Sequence, residues 1–250
     1  MSPPTFLVPA ESLAHVHVGS LVVLGKVVSH HIAVSRIQPG EVIDLVDGRG
    51  TRVTGVTPRP SEFEVHQIGR EKSPLLQITV AQALIKGDRL DRAIEMMTEV
   101  GAVGFIPWEA DHSIVKWTGE KVERNRLKWV HLVQASVEQS RRSFQPVVHP
   151  LVNSKTLVSL FSEYDHVIIM DESGGEDCQS AATGRTLLII GPEGGLSESE
   201  RSTFAQFHNA QTLTIGNSVL RGATAGVVGL SYLFTRSGEW GTAHPGSVEG

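Results

Sequence analysis

The stretch LLIIGPEGGLSESE, residues 187–200, decides the fold of the second part of the chain. Its first four residues are wholly apolar, which is typical of a strand buried on both faces of a parallel sheet. The loop 191–195 follows at once, and Ser197 with Glu200 has the spacing of a capping box, so a helix is expected to begin there. Ligands of α/β proteins bind at the carboxyl ends of such strands. We therefore predict a ligand loop at 191–195, the alternative being a tight strand-to-helix turn.

The residues around this stretch alternate between strand and helix patterns. Apolar runs predict strands at 75–84, 103–107, 167–170 and 212–215. Helices are expected at four places, which are a segment capped by Asp88, the basic segment 120–141, a segment from Glu198, and 220–234. Strands that alternate with helices predict an α/β domain.

The first 70 residues follow a different pattern. Short segments of alternating polarity, separated by turn residues, predict a small β-barrel with strands at 41–46, 51–56 and 62–68. The pattern changes after residue 72. We therefore predict three regions, which are a barrel over 1–72, an α/β domain over 73–238 and a loose polar tail over 239–250.

The composition restricts the class of protein. Of the 250 residues, 40% are hydrophobic and 20% are charged, as in ordinary globular proteins. The single cysteine, Cys178, excludes an internal disulfide framework and a cysteine-rich zinc site. The histidine pairs 15/17 and 30/31 lack further metal ligands, so no metal is predicted. We see neither a signal-peptide pattern nor an apolar run of membrane length, so a cytoplasmic protein with no membrane association is expected.

The charge is unevenly distributed. The net charge of −5 argues against a bulk nucleic-acid binder. Residues 116–142, however, hold seven basic and three acidic side chains, whereas 150–211 hold three basic and nine acidic ones. A local basic stripe can hold phosphates, and a solvated helix face is the alternative.

A second motif, IGNSVLRGATA, occupies residues 215–225. Arg221 stands at a predicted helix start, where the helix macrodipole disfavours a cation. Arg221 is therefore expected to contact a phosphate or a substrate, with a surface salt bridge as the alternative. Four small residues predict that another backbone packs closely here, namely Gly222, Ala223, Ala225 and Gly226. The chain lacks a P-loop and a Gly-x-Gly-x-x-Gly turn between strand and helix, which excludes the common nucleotide loops.

A third segment, SVEQSRR at residues 136–142, ends the basic helix. Gln139 can pair with a base edge, and Arg141 and Arg142 can fork onto phosphate. Taken in chain order with HHIAVSRIQPGEVIDLVDGRG at 30–50, these motifs make the sequence similar to the bacterial 16S rRNA (uracil-N3)-methyltransferase family, RsmE, of the SPOUT class. The resemblance extends from about His30 to Phe234.

The resemblance implies a fold and an activity. The barrel over 1–72 would be a PUA-like RNA-binding domain, and 73–238 would be a SPOUT α/β domain with a deep trefoil knot. The family uses S-adenosylmethionine, acts as a homodimer and methylates N3 of a uridine in 16S rRNA of the 30S subunit. The target base must be unpaired or flipped to be reached.

The resemblance also implies roles for individual residues. Arg221 is the catalytic candidate, the general base is unassigned, and Glu193 is a weaker candidate for it. The residues expected to hold the cofactor are Leu188, Ile190, Gly191, Pro192, Glu193, Gly194, Gly195, Leu196, Ile215, Gly216, Ser218 and Leu220. The residues expected to bind RNA are Arg36, Arg49, Arg52, Lys86, Gln139, Arg141 and Arg142.

The sequence departs from the family at two positions. Ala223 stands where the family often has a glutamate, and Met96 stands where it has a lysine. Three alternatives stay open, namely a SPOUT RNA methyltransferase with a different target, a non-catalytic ribosome-assembly RNA-binding protein, and a small-molecule enzyme that binds phosphate in its glycine loop. The missing glutamate favours the second of them.

Overall fold

The computed structural model describes residues 3–87, 89–172, 174, 183–238 and 240. Contacts between backbone positions divide the chain into two compact units. Unit 1 comprises the described part of Met1–Ser73 together with Gln134–Gln145, and unit 2 comprises the described parts of Pro74–Val133 and Pro146–Ala243. The predicted domain limits stay predictions. Asp88, Cys178 and, apart from Trp240, the predicted tail lie outside the described residues.

Unit 1 is built on a mixed sheet of five strands in the order β1-β3-β4-β5-β2, in which β1 is parallel to β3 and the other pairs are antiparallel. The elements are β1 (Thr5–Leu7), a 3₁₀ turn (Ala10–Leu13), β2 (Leu21–Val23), α1 (Lys26–Val34), β3 (Val42–Val46), β4 (Thr51–Arg59) and β5 (Glu62–Arg70). Alternate strand residues and Ile32 of α1 form its core. The predicted barrel is thus present as a half-barrel, because no ladder between described residues joins β1 to β2.

Unit 2 contains a parallel sheet in the order β12-β10-β11-β6-β7-β8, with β9 also paired to β7. Its elements are β6 (Leu76–Ala83), α2 (Arg89–Val100), β7 (Gly104–Glu109), α3 (Glu120–Ser140), β8 (Val147–Val148), β9 (Val152–Asn153), α4 (Ser154–Ser159), a 3₁₀ turn (Phe161–Glu163), β10 (His166–Met170), β11 (Gly184–Ile190), α5 (Glu198–Phe204), β12 (Ala210–Leu213) and α6 (Gly222–Ser237). The last residues of α3, from Gln134, belong to unit 1. The predicted α/β architecture is confirmed, and the trefoil knot stays a prediction.

The register of the sheet places the ends of its central strands together. Ile190, the last residue of β11, pairs with Gln82 of β6 and with Met170 of β10, and Met170 in turn pairs with Leu213 of β12. Because the strands are parallel, the loops that follow all of them leave the same edge of the sheet. This edge is where an α/β sheet binds ligands.

The small residues of α6 allow the close packing that the sequence predicts. A Cβ atom at Gly222 would lie 3.3 Å from the carbonyl oxygen of Gly191, and one at Gly226 would overlap the sulfur of Met97. The helix therefore lies close to the glycine loop and against α2. No described helix is long and apolar enough to cross a membrane.

Candidate functional site

A cavity of about 680 Å³ opens at this edge of the sheet in unit 2. Its walls are the loops that follow β10, β11 and β12 and the first residues of α2 and α6. Its volume lies within the range of roughly 300–1,000 Å³ that is usual for small-molecule sites. The motifs 191–195 and 215–221, which are distant in sequence, thus form one site.

Most of the residues predicted to hold a cofactor line this cavity. They are Ile190, Gly191, Pro192, Glu193, Gly195, Leu196, Ile215, Gly216, Ser218 and Leu220, and Arg221 lines it as well. Leu188 and Gly194 are not among the lining residues. The side chain of Leu188 is buried beside Gly229 of α6, and Gly194 lies beside His112.

The glycine loop is a turn closed by its own backbone. The N–H of Gly195 donates to the carbonyl of Pro192 at 3.0 Å, and Gly195 has a φ of +68°, which favours glycine. The predicted capping box is confirmed, because Ser197 Oγ accepts the N–H of Glu200 and the Glu200 carboxylate accepts the N–H of Ser197. The helix start that carries the loop is therefore well defined.

Arg201 ties the walls of the cavity together. Its Nη1 donates to the carbonyl of Leu196 at 2.7 Å, and its Nε donates to the buried carboxylate of Asp171 at 2.9 Å. Thr214 in turn donates to the carbonyl of Asp171 at 2.7 Å. The sequence analysis missed these residues, since nothing local shows that the ends of β10, β11 and β12 meet.

Two arginines line the cavity at helix starts. Arg221 is the N-cap residue of α6 and makes no side-chain capping hydrogen bond, and Arg89 is the first residue of α2. Both are exposed, and neither forms an ion pair with a described residue. The sequence analysis missed Arg89, although the cation at a helix start that singled out Arg221 was also present there.

The carboxylates of the cavity differ in exposure and in the hydrogen bonds that they accept. Glu193 is exposed and accepts only the Lys86 N–H, at 3.4 Å, among described groups. Glu172 is exposed and also lines the cavity. Asp171 is engaged by Arg201. Among the described residues, no group of three or more His, Cys, Asp or Glu side chains could hold a metal ion.

The residues predicted to bind RNA fall into different environments. Arg36, Arg49 and Gln139 of unit 1 and Lys86 of unit 2 are exposed, and Arg36 has a φ of +58°. Arg52 has a side chain only 13% exposed, and it pairs with Asp44 at 2.9 Å and Glu71 at 3.1 Å. These ion pairs give Arg52 a structural role, and its RNA contact stays a prediction.

The paired arginines of SVEQSRR are partly buried. The carbonyl of Arg141 accepts a hydrogen bond from Arg52 Nη2 at 2.6 Å. Burial lowers the pKa of Arg142 to about 10, although the nearby Glu71 carboxylate opposes that shift. Both residues therefore help to join 134–145 to the rest of unit 1.

Comparison with known proteins places this site in a family. Residues 71–234 match the model of the RNA methyltransferase domain family. A curated ribosomal RNA small subunit methyltransferase E from Mycobacterium bovis is 31% identical over 222 residues, which cover 84% of each chain. The chain belongs to the ribosomal RNA small subunit methyltransferase E family. The predicted family, and with it the RNA methyltransferase class, is confirmed.

Other members and solved structures agree with this family. The ribosomal RNA small subunit methyltransferase E of Bacillus subtilis is 27% identical over 224 residues, covering 84% of this chain and 87% of its own. The crystal structure of the Neisseria gonorrhoeae enzyme, bound to S-adenosyl methionine, has a TM-score of 0.81 and 27% identity, and the match covers 94% of this chain and 98% of that chain. A putative methyltransferase from Legionella pneumophila, at 23% identity, shares the fold with a TM-score of 0.83, over 94% of this chain and 98% of its own.

Proposed function

We propose that this protein transfers a methyl group from S-adenosylmethionine to N3 of a uridine in 16S rRNA of the small ribosomal subunit. The observation that carries the proposal is the cavity of unit 2, in which a glycine loop and two arginines that form no ion pair with a described residue face one volume. The family to which the chain belongs supports the same reaction class.

The residues of the cavity fit the cofactor. The glycines of 191–195 carry no side chains of their own, so the backbone of Gly191 and Gly195, which line the cavity, can approach a ligand closely. Leu196, Leu213 and Ile215 supply apolar surface for a nucleoside. The cofactor-bound Neisseria relative supports this assignment. When bound, S-adenosylmethionine supplies an electrophilic methyl group, and the cavity residues hold it in place.

Residues of the cavity would activate the nucleophile, which is N3 of the uridine. Uridine N3 carries a proton and is a poor nucleophile until that proton is lost. Arg221 and Arg89 place positive charge at the cavity, which stabilises an anionic uracil or its phosphate. Glu193 and Glu172 are the exposed carboxylates of the cavity, and either can accept the proton if it lies within hydrogen-bonding distance of N3.

Unit 1 and the exposed polar residues would hold the RNA. Arg36, Arg49, Gln139 and Lys86 keep their side chains accessible, and phosphate binding sums many weak contacts of this kind. Arg141 and Arg142 would contribute positive potential from partly buried positions. The family resemblance supports a cytoplasmic homodimer, with the predicted knot, acting on the 30S subunit.

The test is methyl transfer from labelled S-adenosylmethionine to purified 30S subunits that lack the modification, followed by mass-spectrometric mapping. We expect 3-methyluridine in 16S rRNA. A methyl group on a ribose hydroxyl, or transfer to tRNA only, would assign another target. If the protein binds both S-adenosylmethionine and 30S subunits but transfers no methyl group, it is a non-catalytic ribosome-assembly protein.

A further inference from the structure

His112 lies beside the glycine loop, outside the cavity. It follows β7 in a turn in which Ser113 N–H donates to the carbonyl of Ala110 at 3.0 Å and Ala110 N–H donates to Ser113 Oγ at 3.1 Å. The Nδ1 atom of His112 lies 3.1 Å from the carbonyl oxygen of Gly194 and 3.2 Å from that of Gly195. Because both oxygens only accept, Nδ1 must carry the hydrogen and donate to both.

The backbone around His112 is bonded to the other end of the same loop. The N–H of Asp111 donates to the buried Glu200 carboxylate at 2.8 Å, and Ser197 Oγ donates to the Asp111 carboxylate at 2.6 Å. Glu200 also accepts the Ser154 hydroxyl at 2.6 Å. The segment 111–112 therefore holds both the glycine turn and the helix cap that follows it.

His112 packs closely against Gly194. A Cβ atom at Gly194 would lie 3.1 Å from His112 Cβ, which is closer than side chains usually approach. Pro192, Glu193 and Gly195 of the same turn line the cavity, whereas His112 and Gly194 do not. The imidazole is thus placed to set the conformation of the cavity wall without touching what the cavity contains.

We infer that His112 is a positioning residue that holds the glycine loop in its cofactor-binding conformation through the Nδ1–H hydrogen bonds to Gly194 and Gly195. The inference rests on the proposed cofactor. Without these hydrogen bonds, the loop 191–195 samples other conformations. Only the fraction of molecules in the binding conformation then binds the cofactor, so the apparent Kd for the cofactor rises in proportion. The chemistry of methyl transfer, once the cofactor is bound, is unchanged.

Three substitutions test the role of the Nδ1 position. His112→Asn places an amide N–H at the position of Nδ1, His112→Gln moves it one bond further, and His112→Ala removes it. We expect the Kd for S-adenosylmethionine, measured by calorimetry, to rise about five- to tenfold for Ala and Gln, as for one or two lost hydrogen bonds, and to stay within about twofold for Asn. The KM for the cofactor should follow the Kd while kcat at saturation stays the same.

A second measurement needs no cofactor. The Gly195 N–H, which closes the turn, should exchange with solvent faster in the Ala and Gln variants than in the wild type and the Asn variant. His208→Ala, at an exposed histidine between α5 and β12, is the matched control and should change neither value.

The outcomes separate the two proposals. If the wild type binds no S-adenosylmethionine, the proposed function fails, and the exchange of Gly195 still tests the role of His112. If the wild type binds it and the Ala variant binds equally well, or if Asn is as weak as Ala, the inference about His112 is overturned.

Discussion

Arg52 of unit 1 and the two arginines at helix starts in the unit 2 cavity, Arg89 and Arg221, use the same side chain in opposite ways. In unit 1, Arg52 is largely buried, and its guanidinium donates hydrogen bonds to Asp44, to Glu71 and to the carbonyl of Arg141. In unit 2, Arg89 and Arg221 are exposed, line a cavity and form no ion pair with a described residue. The buried arginine joins segments of the chain, whereas the guanidinium groups of the two exposed arginines are available to donate hydrogen bonds to a ligand.

The difference follows from the cost of burying charge. A buried guanidinium must be fully paired, because an isolated buried charge is very unfavourable. The Asp44 carboxylate is likewise satisfied by Arg52 and by the hydroxyl of Thr54 at 2.6 Å. An arginine at a helix start gains nothing from the macrodipole, so its position indicates a role outside the helix.

Removing Arg52 should lower stability most. Arg52→Ala leaves the Asp44 carboxylate buried without its cation, and we expect the free energy of unfolding to fall by about 3 kcal/mol. Urea denaturation at pH 7 measures it. Arg59→Ala, which breaks the exposed pair with Glu62, is the control and should cost less than about 1 kcal/mol. Equal losses of unfolding free energy in the two variants would contradict the structural role of Arg52.

Removing Arg221 should lower turnover and leave stability unchanged. For Arg221→Ala we expect kcat to fall about 100-fold, as for the loss of one donor to a developing anion. The Kd for S-adenosylmethionine should stay the same, because the backbone of 191–195 remains in place. Single-turnover methyl transfer and calorimetry measure the two values, and an unchanged rate would remove Arg221 from the site.

Arg89 should have a smaller effect, on substrate binding. Arg89→Ala should raise the KM for 30S subunits about tenfold and flatten its dependence on salt, since one cation is lost from the RNA-facing side. Arg92→Ala, three residues further along α2, is the comparison. If KM and salt dependence change equally in both variants, Arg89 contributes only general charge.

The smallest effect concerns the junction of α3 with the strands of unit 1. Glu138 accepts the N–H of Leu7 at 2.8 Å and faces His31 Nδ1 at 3.4 Å, yet burial raises the pKa of its carboxyl. A raised folded-state pKa leaves stability intact below the unfolded value and lowers it as pH rises through the folded value. Glu138→Gln should therefore lessen the fall in unfolding free energy as the pH rises above the ordinary glutamate pKa of 4.5, by less than about 1 kcal/mol. Urea denaturation at a series of pH values from 4.5 upward measures it, with Glu11→Gln as the exposed control, and an unaltered slope would contradict it.

Local patterns predicted much of the fold. The apolar run 187–190, the capping box and three of the five strands of the half-barrel, β3 to β5, could be predicted because each depends on neighbouring residues. Element limits shifted by a few residues, as for β12, which ends at Leu213 instead of residue 215. The half-barrel topology and the strand order depend on distant pairings, which no local pattern encodes.

The candidate site was predicted in part. The two loops and Arg221 were identified because glycine runs and a cation at a helix start are unusual in themselves. Arg89, Arg201 and His112 were missed, and the ion pairs of Arg52 were not foreseen. The contacts of Arg201, His112 and Arg52 join segments that are distant in the chain, and no local pattern shows such contacts.

The sequence by itself determined the family, most strands and helices of unit 2, and two of the loops that line the cavity. Only the tertiary structure decided which charged side chains are free and which are paired. Pairing depends on residues that are far apart in the chain, such as Arg52 and the carbonyl of Arg141, which are separated by 89 positions. Burial determines whether a charged side chain pairs within the fold or stays available to bind a ligand, and burial depends on the tertiary structure.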